Sequence, residues 1–239
     1  MEAPDRPRMD SPPAAGLSLP QRVWGVFVAP RTVFQSLDAR PRLLGALLVL
    51  IVLNAVAGVL ATDVAMQAQL DRMQSQPNAD PAKIAAMTGV LRVVLPLFSA
   101  LGPLLYVFGL AGVFLFVTNI LLGGSTSYKR LAAAEAHIGM ISIPMLLVRI
   151  PLVLSQQDLK VQTSLAAFLP RSDSATFLYQ ALAQFEVFSL WMVGLTVVAV
   201  SVLGAMPTRK AAVGVIGAWV VWAVAWTPIA TILERSGGG

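Results

Sequence analysis

Five stretches of this chain are apolar over the length of a membrane-crossing helix, and no other feature limits its fold so tightly. They are residues 43–61 (LLGALLVLIVLNAVAGVLA), 93–122, 131–154, 185–206 (FEVFSLWMVGLTVVAVSVLGAM) and 211–233 (AAVGVIGAWVVWAVAWTPIATIL). A bilayer core of about 30 Å is crossed by about 20 residues of helix. Of 239 residues, 12% are charged, against about 25% in a typical soluble domain. That leaves too little polar surface to cover a globule in water. The expected fold is an all-α membrane protein of five transmembrane helices preceded by short amphipathic interfacial helices. Its expected divisions are a disordered tail over 1–17, an interfacial segment over 18–42, the five-span domain over 43–233 and a flexible tail over 234–239.

The 93–122 run is the least regular. Thirty residues make about 45 Å of straight helix, and Pro96 and Pro103 interrupt it. One kinked helix is expected, with two short re-entrant helices as the alternative. In "DPAKIAAM", Asp80 is placed to cap a helix that Pro81 begins and that runs into this span. "SDSATFLYQALAQ" begins a helix expected to continue into the fourth span.

The basic residues fall on one side. The turns at 123–130 and 207–210 hold Lys129, Arg130, Arg209 and Lys210, and the N-terminal segment adds Arg6, Arg8, Arg22, Arg31, Arg40 and Arg42. The loops at 62–92 and 155–184 hold Arg72, Lys83, Arg92, Lys160 and Arg171 against five Asp. Lys and Arg are retained on the cytoplasmic side, so the N-terminus is expected inside and the C-terminus outside, in a bacterial cytoplasmic membrane. Before the first span, Val23, Trp24, Phe27 and Val28 form one apolar stripe and Val33, Phe34 and Leu37 a second, broken by Pro30. Two short helices in the headgroup layer fit this pattern, with Trp24, Phe27 and Phe34 as interfacial anchors. Packing of the same stripes on the spans is the alternative.

The chain offers no catalytic set. It has no cysteine and one histidine, so no metal, cofactor or thiolate chemistry is expected. No GxxxxGK[ST] loop, HExxH or GxSxG-like element occurs. Nucleic acid is not an expected partner, because the basic residues sit at span ends. The polar residues inside the spans are Asn54, Asn119, Glu135, His137, Arg149 and Glu186. A charge at the centre of a span costs about 2.5–3.5 kcal/mol on insertion scales. Glu135 and His137 are two residues apart, about 200° around a helix, and cannot form a dyad on one face. Glu135 is placed to reach Lys129, Arg209 or Lys210. Arg149 ends one span and Glu186 begins the next, so an inter-helix ion pair is expected between them. His137 is left without an obvious partner: a packing residue, or with Glu135 part of a proton or ion path. Trp219, Trp222 and Trp226 share one face of the last span, suiting lipid contact or packing. The pairs Ala57/Ala61, Ser201/Ala205 and Gly214/Ala218 permit close helix approach.

Three segments, "RVWGVFVAPRTVFQSLDARP", "GGSTSYKRLAAAEAHIGMISIP" and "FEVFSLWMVGLTVVAVSVLGAMPTRKAAVGV", resemble the bacterial branch of the Yip (Ypt/Rab-interacting protein) membrane family, Yip-one type. The resemblance covers most of residues 22–230 and implies five spans with a cytoplasmic N-terminus. It carries no catalytic residues. Eukaryotic members are linked to vesicle trafficking and small GTPases, but the Asp-Leu-Tyr-Gly-Pro-type motif is missing here and the N-terminal segment is short, so GTPase binding is not carried over. The expected function is that of a non-enzymatic integral membrane protein that organises or partners other membrane components, with the bilayer, another membrane protein or a second copy of itself as partner. The alternative is a transport or channel protein moving lipid or ion past Glu135 and His137.

Overall fold

The computed structural model describes residues 16–74 and 80–237. Most of the expected N-terminal tail and residues 238 and 239 lie outside them. The described residues form helices and turns, with one isolated antiparallel bridge between Ser164 and Glu186. In order they are α1 (Leu19–Val28), α2 (Pro30–Ala39), α3 (Leu44–Gln74), α4 (Pro81–Phe116) prolonged by a π-turn (Val117–Leu121), α5 (Tyr128–Ile138), a 3₁₀ turn (Gly139–Ile141), α6 (Ser142–Gln156), two short 3₁₀ turns, α7 (Phe177–Ala183), α8 (Val187–Leu203) and α9 (Thr208–Gly237).

Among the described residues four helical runs are long and apolar enough to cross a membrane: Leu44–Asp71, Ala85–Leu121, Tyr128–Gln156 and Thr208–Arg235. The fourth expected span, α8, is a shorter apolar helix of 17 residues, about 26 Å long. The 93–122 run is continuous helix. Pro96 and Pro103 lie inside α4 without breaking it. Asp80 caps α4 as expected, its Oδ1 accepting from the Ala82 amide at 2.9 Å. Much of the expected 62–92 loop is helix, because α3 runs on to Gln74.

α7 does not continue into α8. The chain turns at Gln184–Glu186, and the Glu186 carboxylate caps α8 by accepting from the Ser189 amide at 2.7 Å. Nor is 234–237 a loose tail. It continues α9, where the Arg235 guanidinium donates to the Ala175 carbonyl at 3.0 Å and Lys160 pairs with Glu234.

The interior is built around α5. Every residue from Leu131 to Ser142 is buried. Ala132, Ala133, Ala134 and Ala136 keep that helix thin enough for α4, α8, α3, α2 and α1 to pack against it. The N-terminal helices are part of this interior. Val33, Phe34 and Leu37 of α2 are buried with α5 and α8. Phe34 is therefore a core residue and not a lipid anchor, because α2 turns its stripe onto the bundle. Phe27 is half-buried, edge-on to Trp191 of α8 at 5.8 Å. Only Trp24, at 67% exposure, with Val28 beside it, presents the outward apolar face expected of an anchor.

Close approach between α3 and α4 depends on Gly58. A Cβ there would lie 2.6 Å from the Ser99 Cβ and 3.3 Å from the Pro96 Cα. The Ser99 hydroxyl crosses the same interface to the Asn54 carbonyl at 2.8 Å. Gly58→Leu is expected to force the two helices apart and cost about 1–3 kcal/mol, read as a lowered Tm in detergent. Gly109→Leu, where a Cβ meets nothing within 4 Å, is expected to change stability by less than about 0.5 kcal/mol.

Candidate functional site

The polar residues that matter lie on α5, and alanine-rich packing is what buries them. Glu135 and His137 are both 0% exposed. Neither carboxylate oxygen of Glu135 has a hydrogen-bond partner among the described residues. The expected cations do not reach it: Lys129, Arg209 and Lys210 are exposed, and Arg130 instead lies 3.2 Å from Asp38. The reason is that Glu135 sits within the run packed on every side, whereas these cations lie at helix starts facing outward.

His137 has the partner that its position lacked on paper. Its Nδ1 lies 2.7 Å from the Ala133 carbonyl one turn earlier. That contact makes Nδ1 the protonated nitrogen, donating to the carbonyl, and leaves Nε2 as an acceptor. Nε2 is buried without a partner among the described residues. The two side chains face different neighbours, as their spacing requires. The Glu135 carboxylate is within electrostatic reach of Tyr106 on α4, and His137 within that of Arg22 on α1. Tyr106 donates to the Met192 sulfur of α8 at 3.3 Å.

Arg22 is the residue that sequence reasoning missed, having counted it only as a topological charge. It is 1% exposed. Its Nε donates to the Ser36 hydroxyl of α2 at 3.3 Å, and Ser36 donates in turn to the Val33 carbonyl at 2.7 Å. Nη2 is buried without a partner. Burial, and then the charge of Arg42, pull the guanidinium below the ordinary arginine range. One signal was available: Arg22 shares a helical face with Gly25 and Val26, the buried side of α1, opposite the Trp24/Val28 stripe. The Ser142 hydroxyl adds one more buried polar group without a partner. The set is thus an arginine from the N-terminal segment and an acid, an imidazole and a hydroxyl on the α5–α6 run.

The remaining polar residues are structural. Asn54 donates to the Leu50 carbonyl at 2.9 Å. Asn119 clamps the 122–127 turn, its Nδ2 donating to the Thr126 carbonyl at 2.9 Å and its Oδ1 accepting from the Thr126 amide at 3.0 Å. Arg149 is exposed and makes no ion pair with Glu186. Glu186 is occupied by the α8 cap, the Ser189 hydroxyl at 2.8 Å and the Thr163 hydroxyl at 3.1 Å. Matching depth did not bring the two charges together, because a free helix N-terminus supplies Glu186 with nearer donors. Trp222 and Trp226 stack at 5.4 Å on the outer side of α9, while Trp219 turns inward, edge-on to Phe185 at 5.4 Å. Among the described residues no group of three or more His, Asp or Glu is placed to hold a metal ion.

Glu186→Ala is expected to cost about 0.5–2 kcal/mol through loss of the cap. Arg149→Leu is expected to change stability by less than about 0.5 kcal/mol. In a double-mutant cycle on thermal stability the two effects should add within about 0.5 kcal/mol. A larger coupling would mean that the charges meet.

A family model described as the Yip1 domain matches residues 24–228. The chain is similar to the membrane protein YknW of Bacillus subtilis (strain 168), at 30% identity over 181 residues, which is 71% of this chain and 72% of that protein. No solved structure matches.

Proposed function

Because this chain belongs to the Yip1 domain family, we propose that it is a non-enzymatic integral membrane protein that organises or partners other membrane components. We place it in a bacterial cytoplasmic membrane, crossed five times with the N-terminus inside. In this reading α8 is the fourth span, shorter than the rest and seated against α9, α2 and α5. One observation carries the partnering role: Glu135 and His137, the polar groups that could line a path, are sealed at 0% exposure in α5, which is buried from Leu131 onward. A conduit would need those groups open to water on at least one side. The outward surface is instead apolar and extensive. On α9, Val213, Val221, Trp222 and Val224 are exposed, which leaves its face for lipid or for another membrane protein.

Transport is the second reading, and the unpartnered atoms favour it. Both Glu135 oxygens, His137 Nε2 and Arg22 Nη2 lack partners among the described residues. Groups of this kind inside a membrane protein mark proton or ion routes in many carriers.

Purification in mild detergent, with quantitative mass spectrometry and reconstitution into liposomes, separates the two. The expected result is a membrane protein at fixed stoichiometry, a second copy of this chain included, and no ion or lipid flux above protein-free liposomes. A lone chain that gives flux, lost in Glu135→Gln or His137→Ala, would establish transport instead.

A further inference from the structure

The outer end of the molecule carries a cavity of about 170 Å³ between the end of α6, the 161–171 segment and α7. One wall is apolar: Leu152, Val161 and Leu169, with Ala166 and Ala167. Val161 also joins Val64 of α3 and Val153 of α6 in a small apolar cluster, which ties this wall to the membrane helices. The other side is polar: Gln156, Gln162, Arg171 and Tyr179.

The hydrogen bonds around the cavity use up acceptors and leave donors. The Gln156 Oε1 accepts from Arg171 Nη2 at 2.8 Å, and the Gln162 Oε1 accepts from the Ser164 hydroxyl at 3.1 Å. Arg171 Nη1 donates to Asp158 Oδ2 at 2.5 Å. Both glutamine oxygens are therefore engaged, and their amide N–H groups are left to donate. Tyr179 is 4% exposed, and its hydroxyl makes no hydrogen bond among the described residues. The hydroxyl is therefore a third free donor at the cavity, and an acceptor there would meet it.

We propose that this cavity binds a small acyl compound. Its carbonyl or carboxylate oxygen accepts from Tyr179 and the two glutamine amides, and its short chain lies against Leu152, Val161 and Leu169. Size sets the class. A cavity of about 150 Å³ takes a benzene molecule, so an acyl group of about six to ten non-hydrogen atoms fits within this one. The arginine beside Asp158 is already neutralised, so the head group is chosen by its oxygen lone pairs before its charge.

The test is calorimetric titration of the full chain in lipid nanodiscs with hexanoate and with hexanamide. Saturable one-site binding of either supports the proposal, and the stronger of the two identifies a carboxylate or a neutral carbonyl head. Tyr179→Phe keeps the cavity's shape and should weaken binding about tenfold, the worth of one hydrogen bond. Ala167→Leu fills the cavity from an exposed position and should abolish binding. If that variant does not fold, Tyr179→Phe decides alone. No heat from either compound, or heat unchanged in Tyr179→Phe, would overturn the proposal, since bilayer partitioning is indifferent to this hydroxyl.

Discussion

A helix packed on every side, in a molecule whose outer surface meets lipid, must satisfy its polar groups from within or leave them bare, and α5 does some of each. Its thinness makes the arrangement possible. Four alanines between Leu131 and Ile138 let five other helices approach, and the Gly139 that follows lies so close to Leu50 of α3 that a Cβ would sit 2.7 Å from a methyl carbon. In this setting Glu135 and His137 are costly to keep. A buried charge stripped of its partner costs about 3–5 kcal/mol. Retaining them there gives the interior its polar character and makes α5 the reference for every other element.

The N-terminal helices follow from the same constraint. α1 and α2 pack against α5, bringing Arg22 to the His137 side and Phe34 into the apolar core. Their amphipathic stripes divide between two tasks: one face of α1 is left outward, while the stripe of α2 is spent on packing. The turns after Leu121 and after Leu203 are closed by local bonds rather than by charge. Asn119 holds the turn through Thr126, and the Ser201 hydroxyl donates to the Met206 carbonyl at 2.8 Å in the next one. The positive φ of Gly123 is where the chain leaves the π-turn, a conformation that glycine adopts without steric cost.

Much of this architecture was legible in the chain, because hydropathy reports burial in lipid directly. The apolar runs, the Asp80 cap and the break at Pro30 emerge where composition and local chemistry place them. The Glu135/His137 geometry was legible too, since a spacing of two fixes opposite faces. What was not legible depends on which helix lies against which. An amphipathic stripe reads the same whether it meets lipid or α8, so Phe34 was misplaced. A charge at the right depth reads the same whether it meets Arg149 or a free helix end, so the function of Glu186 as a cap was missed. Arg22 was hidden by a plausible topological explanation, although its face, shared with Gly25 and Val26, pointed inward.

Glu135 and His137 are sealed from water within α5. Single cysteines introduced at Ala134 and Ala136, in a chain with no native cysteine, test it most directly with a small charged thiol reagent applied from each side of intact membranes, Ser125→Cys serving as the reactive control. A sealed helix leaves both positions unmodified from either side while the control reacts. Modification of Ala134→Cys or Ala136→Cys at a rate near that of the control would show water reaching α5 and would contradict the account.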